Sequence, residues 1–140
     1  MSKITITSEP HASADDLAAV ENQINEFNMR VTGDRDYHLV ALFLRDEDQK
    51  IVGGIIGHVW GGWLKVAFLW VDEALRGQGY GGQLLQMAEA EARAYGCKNA
   101  HLETFSFQAR PFYEHHGYQV IGELPDYPPG HTSYFLRKTL

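Results

Sequence analysis

Between positions 76 and 82 the chain reads Arg76-Gly77-Gln78-Gly79-Tyr80-Gly81-Gly82, with four glycines in six consecutive residues. An apolar stretch, Trp63 to Val71, precedes this run, and a segment of helical spacing, Gly79 to Tyr95, follows. In that segment Leu84, Leu85, Ala88, Ala92 and Tyr95 share one face, Glu89 and Arg93 stand four apart as a surface ion pair would, and Gly96 sits where a helix-ending glycine belongs. The run is therefore a turn from a strand into a helix N-terminus. Glycines let a ligand approach the backbone closely, and the unpaired N–H groups of a first helical turn, with the dipole, attract an anion such as a pyrophosphate. Four glycines exceed what a turn requires, and Arg76 adds a charge-assisted contact.

The remaining elements follow from local period. Lys3 to Thr7 alternates Ile4 and Ile6 with polar neighbours and predicts an opening strand. Ser13, with Asp16 three residues on, caps a helix in which Leu17, Val20, Ile24 and Phe27 recur at intervals of three and four, ending near Asn28. After the polar break Gly33 to Tyr37, Leu39 to Leu44 is apolar at both parities, as expected of a strand covered on both faces. Arg45 to Lys50 is a charged turn, Ile51 to His58 a strand, Gly61-Gly62 a hairpin turn, and Trp63 to Val71 the third strand of an antiparallel meander. Ala100 to Thr104 predicts a short strand beyond the long helix, and a strand, helix, strand crossover of this length makes its two strands parallel neighbours. Ala109, Phe112, Tyr113 and His116 mark a second short helix with Pro111 in its first turn and Gly117 at its end. Tyr118 to Leu124 and Ser133 to Lys138 close the chain as two strands around the Pro125 to Gly130 loop. Residues 1–140 read as one α/β domain.

Composition narrows the function. Apolar residues make up 44% of the chain and charged residues 21%, which permits a proper core and excludes disordered and low-complexity classes. The longest apolar stretches, Ile51 to Gly57 and Val66 to Val71, fall far short of the roughly 20 residues of a membrane span. Met1 to Glu9 has no apolar h-region or small-residue cleavage site, and the lone Cys97 forms no internal disulfide, so a cytoplasmic protein with no membrane partner is expected. A formal charge of -6 disfavours a nucleic-acid partner, a tRNA-modifying toxin included, because phosphate binding wants a basic face. His11, His38, His58, His101, His115, His116 and His131 show no metal-ligand spacing, so no metal is expected.

Two ligands compete for the glycine turn. Gly77, Gly79 and Gly82 satisfy G-x-G-x-x-G, and Glu103 follows about 20 residues on, where a dinucleotide fold holds a ribose. The surroundings argue against it. Asp72 to Arg76 separate the strand from the first glycine, the preceding strands form an antiparallel meander, and the 37 residues after Glu103 are too few for the rest of such a sheet.

Val71 to Leu85 resembles instead the acetyl-CoA signature of the GNAT superfamily of N-acetyltransferases, Q/R-x-x-G-x-G/A, whose fixed positions are filled by Arg76, Gly79 and Gly81. Ala109 to Tyr118 resembles the family's A-x-x-F-Y-E-x-x-G-F/Y segment, and Tyr127 to Leu136 is similar to a late Y-P-x-G-H-x-x-Y-F-L segment of small bacterial single-domain members. The resemblance implies a mixed, mostly antiparallel sheet of about six or seven strands flanked by about four helices, whose central parallel pair splays into a cleft for coenzyme A. The backbone of Leu69, Trp70 and Val71 would pair with the pantetheine arm, Gly77, Gln78, Gly79, Tyr80, Gly81 and Gly82 with Arg76 would hold the pyrophosphate, and Ser106, Phe112 and Tyr113 would line the coenzyme. Ser106 stands where relatives often carry asparagine.

The implied reaction is direct transfer of an acetyl group from acetyl-CoA to a primary amine of a small molecule or peptide. The amine must be neutral, the tetrahedral oxyanion needs donors, and the leaving thiolate benefits from a proton. Tyr113 matches the family's general acid, and a backbone N–H near Val71 is the implied oxyanion donor. Many relatives carry a glutamate on the long strand, but Trp63 to Val71 holds only Lys65 as a charge. Glu103 is the first candidate base; His58, Asp72, a water chain or external deprotonation are the others. The acceptor pocket would draw on Phe27, Asn28, Tyr37, Tyr127 and His131 with the acids Glu26, Asp34, Asp36 and Asp126, a mixture suited to a cationic amine. A CoA-binding sensor or interaction module of the same fold is the alternative, and exposed strands at the sheet's ends suit a homodimer.

Overall fold

A computed structural model describes residues 2–140. The chain divides into two compact units, one ending at Arg35 and the other spanning Asp36–Leu140. The first unit is built on helix α1, Ala14–Thr32. Ser13 Oγ accepts a hydrogen bond from Asp16 N at 3.1 Å, the N-cap expected from the sequence. The helix runs four residues past Asn28 because Val31 continues the apolar spacing and Gly33, at φ 73°, supplies the stop, its N–H donating to Met29 O. Lys3 to Thr7 is not a strand. Ile4 and Ile6 are 89% and 99% exposed, and an alternating segment with no strand to pair with gains nothing from extension.

The second unit is a six-stranded sheet: β1 His38–Arg45, β2 Ile51–Trp60, β3 Trp63–Val71, β4 Asn99–Phe105, β5 Gln119–Pro125 and β6 Thr132–Thr139, in the order β1-β2-β3-β4-β6-β5. All neighbours are antiparallel except β3 and β4, the central parallel pair, which helix α2, Tyr80–Ala94, connects. Gly61 and Gly62 turn β2 into β3 with φ of 63° and 83°, the conformation a two-residue hairpin demands. Helix α3, Arg110–His115, follows β4, so the described residues form three α-helices and one 3-10 turn, Glu73–Leu75, where about four helices were expected.

Leu84, Leu85, Ala88 and Ala92 of α2 are buried with Val40, Ile55, Val59, Leu64, Val66, Ala100, Leu102 and Leu136 of the strands, which forms the core on one face of the sheet. The two parities of β1 part company. Val40 is fully buried, but Leu39 and Phe43 keep 64% and 45% of their surface, so the expectation of a strand covered on both faces fails. Glu89 corrects another expectation: it is no surface partner of Arg93 but a core residue, accepting from Tyr118 Oη at 2.8 Å and from Lys138 Nζ at 2.9 and 3.1 Å.

Candidate active site

The feature that opens the sheet is a bulge. On β2 and β3, Gly57 pairs with Val66 but Ile56 pairs with Phe68, which leaves Ala67 as an extra residue on β3. A bulge bends its strand and increases the local twist. The strands approach so closely there that a Cβ on Gly57 would collide with Lys65 O. β3 pairs with β4 only from Trp63 with Asn99 to Val66 with Leu102, so the two strands part at the bulge. Beyond this fork Leu69, Trp70 and Val71 remain paired to Ile55, Gly54 and Gly53 on one side and, among the described residues, have no strand on the other. Their free backbone edge is the kind to which an extended ligand adds as a strand.

The glycine turn stands at the end of the same strand. Asp72 Oδ1 accepts from Ala74 N and caps the 3-10 turn, and Arg76 Nε donates to Val71 O at 3.0 Å, which anchors the guanidinium beside the strand end. Gly79, at φ 89°, is the N-cap of α2, and among the described residues no side chain caps that helix. Its first-turn N–H groups therefore keep the donors that Ser13 satisfies in α1. Gly81 faces α3: its Cα is bare where Phe112 Cζ would meet a Cβ at 3.5 Å, while the His116 ring would meet one on Gly82 at 3.1 Å. A Cβ at Gly81 would make only ordinary contact, so Gly82 is the glycine whose bare Cα admits the end of α3, at His116, onto the start of α2. That packing sets Phe112 against the start of α2, with Tyr113 edge-on beside it.

Tyr113 is buried, and its ring meets Phe112 and Tyr118 edge-on at 5.1 and 5.9 Å. Burial pushes its phenol up to about 12. Ser106 ties the turn after β4 to β6: its Oγ accepts from Thr132 N at 3.1 Å and its N–H donates to Thr132 O. Glu103 is exposed on β4, one residue past the fork and opposite Phe135 of β6. Among the other base candidates, Asp72 is occupied as a cap, and His58 stacks on Tyr37 at 5.2 Å.

His58, Lys65 and His101 are successive register partners across β2, β3 and β4. Burial first, and the like charge of Lys65 second, lower both imidazoles below their ordinary value, so both are neutral near pH 7. Replacing Lys65 by Met is expected to raise the titration midpoints of His58 and His101 together, read from their ring-proton chemical shifts. Unmoved midpoints would remove Lys65 as a cause.

The residues expected around the acceptor divide. Phe27 and Asn28 lie on α1 in the first unit, where Glu26 is held by Arg35 in a two-bond pair at 2.7 and 2.9 Å that lowers its carboxyl. Glu26 is thus committed to an ion pair. In the second unit Asp36 pairs with His38, and Asp126 Oδ1 accepts from Gly130 N. Tyr127 and His131 join two residues the sequence reading did not include, Phe105 and Phe107, in one aromatic cluster.

Among the described residues no group of three or more His, Cys, Asp or Glu side chains is placed to hold a metal ion. No helix among them is long and apolar enough to cross a membrane. The model of the acetyltransferase (GNAT) family matches residues 5–118. The chain belongs to the GNAT acetyltransferase family. Its fold, with one parallel pair in a mixed six-stranded sheet, is a GNAT fold, and acetyl-CoA is the acyl donor of that family. Blasticidin-S acetyltransferase of Streptomyces morookaense is 44% identical over 107 residues, 76% of this chain and 79% of the relative. An acetyltransferase of Agrobacterium fabrum is 36% identical over 127 residues, 91% of this chain and 93% of its own. The crystal structure of an acetyltransferase from Bacillus cereus superposes with a TM-score of 0.82 at 35% identity, covering 96% of this chain and 98% of that one.

Proposed function

We propose that this chain, a GNAT acetyltransferase domain over residues 1–140, moves an acetyl group from acetyl-CoA directly to a primary amine of a small molecule. The observation that carries this reading is the fork beyond Val66 and Leu102, which sets the unpaired edge of Leu69–Val71 beside the uncapped N-terminus of α2. The relative at 44% identity, named for its action on blasticidin S, favours a small molecule over a peptide. The donor supplies the activated thioester; the chain's own groups position it and manage protons. First-turn N–H groups of Tyr80, Gly81 and Gly82 with Arg76 hold the pyrophosphate, so an acidic protein binds a polyanion through local dipoles. A backbone N–H near Val71 receives the developing oxyanion, Tyr113 keeps a proton for the departing thiolate, and Glu103 accepts one from the amine.

Calorimetric titration with acetyl-CoA, with NADH in a parallel cell, tests the ligand. Micromolar binding of acetyl-CoA alone is expected, and Gly79→Val should weaken it at least about tenfold, because a β-branched residue is strained at φ 89°. Binding of NADH alone, or of neither, would overturn the reading. Release of free thiol in the presence of amines separates an enzyme from a CoA-binding sensor, which would bind without turnover.

A further inference from the structure

β3 and β4 run parallel, so their C-terminal ends open at the same edge of the sheet, and on the β4 end stands an aromatic cluster. Phe105 ends β4, Phe107 lies in the turn that follows, and Tyr127 and His131 lie in the loop between β5 and β6. The Phe105 ring is nearly parallel to Phe107, with centroids 5.3 Å apart and an interplanar angle of 6°, and to Tyr127 at 5.5 Å and 13°. His131 stands edge-on to Phe107 at 4.9 Å. Two hydrogen bonds fix the platform. Gln108 Oε1 accepts from Phe105 N at 2.9 Å, and Tyr127 N donates to His131 O at 3.0 Å.

Core aromatics of this protein are nearly sealed, as Tyr118 at 2% exposure shows, whereas Phe107 and Tyr127 keep 56% and 50% of their surface. Aligned rings left half wet form a flat π surface that another flat ring can extend. Glu103 lies on the same face of β4 as Phe105, two residues back and thus roughly 7 Å along the strand. It is exposed and stands just past the fork. A flat apolar surface with a carboxylate at that distance is the complement of an ammonium carried a few bonds from a planar ring.

We propose that Phe105, Phe107 and Tyr127 seat the acceptor and select amines borne on a flat, unsaturated ring, with Glu103 receiving the amino group. This rests on the acetyl-transfer reading above and adds the chemical class of its acceptor. A protein surface is disfavoured because the platform is three rings wide and sits at the mouth of the fork. Ring flatness, not apolar area, is what the seat measures.

Matched amines separate these terms. 2-Cyclohexylethylamine is the more apolar partner of 2-phenylethylamine, so burial alone favours the saturated ring. Calorimetry on the full chain saturated with CoA should show the phenyl compound binding about twofold to tenfold more tightly, and kcat/KM with acetyl-CoA should follow in the same sense. Phe107→Leu and Tyr127→Leu, both at half-exposed positions, should each erase the preference while acetyl-CoA affinity and the melting temperature stay. An equal or reversed preference, no binding of either amine, or a preference unchanged in both variants overturns the proposal. Transfer to both amines without preference removes the seat and leaves the acetyltransferase standing. Ring-selective binding without any transfer supports the seat and removes the catalytic reading instead.

Discussion

Tyr113→Phe is expected to lower kcat on the order of a hundredfold while acetyl-CoA affinity stays within about twofold, the lower part of what a positioned proton donor contributes. The separation follows from where the phenol sits. Its ring is packed against Phe112 and Tyr118, and Phe112 in turn lies against Gly81 at the start of α2, so removing one oxygen keeps the packing. The hydroxyl has no hydrogen-bond partner among the described residues, so the substitution orphans nothing in the protein. Burial holds its proton up to about 12, above its value of 10 in water. A donor must be protonated, and raising its pKa extends the protonated range upward. Wild-type kcat should therefore show no alkaline loss from this group below about pH 11. Single-turnover rates with saturating amine, measured across pH 6 to 10, check both parts. An unchanged kcat would strip Tyr113 of the acid role, and a rise in Kd with kcat kept would make it a binding residue.

What the sequence showed clearly was whatever a few neighbouring residues settle among themselves. Gly61-Gly62, Gly96 and Gly117 each terminate an element at positive φ, and the change from strand to helix period at Gly79 sets the start of α2 in the right place. The position of the fork was not legible, because the bulge at Ala67 is a property of pairing: nothing in Trp63 to Val71 alone says which residue loses its partner. Lys3 to Thr7 failed as a strand for the same reason, since alternation describes a face and not a ladder. Among candidate site residues, Tyr113 and the glycines were carried by motif. Phe105 and Phe107 were not, because their meaning depends on Tyr127, which lies about twenty residues away and is brought over by the pairing of β4 with β6. Charges misled most. Glu26 and Glu89 look alike as helical acids, yet one is a surface partner of Arg35 and the other is sealed in the core.

Glu89→Ala is expected to have the largest effect on stability, a loss of about 3–5 kcal/mol, because it breaks a buried ionic network by removing one member. Glu89 is 2% exposed, on the α2 face that carries Leu85, Ala88 and Ala92, and both its oxygens are used. Without it, Lys138 Nζ loses its counter-charge in a site where its side chain is only 20% exposed, and the Tyr118 hydroxyl loses its acceptor. For a domain of this size the melting temperature should fall by roughly 10 °C or more. The cause can be separated from lost volume. If the penalty comes from stranded partners, then Glu89→Leu combined with Lys138→Met and Tyr118→Phe should recover most of it, since an apolar set of similar size leaves nothing unpaired. A triple variant as unstable as Glu89→Ala would place the effect in packing. The network also has a functional address: it ties α2, whose N-terminus faces the fork, to β6 and to the segment that follows α3. Tyr118 touches the Tyr113 ring, so the same bonds that hold the core hold Tyr113 beside Phe112, which packs on the start of α2. The triple variant should therefore regain its melting temperature with kcat still reduced, because the hydrogen bond from Tyr118 to Glu89 that fixes the ring beside Tyr113 is gone.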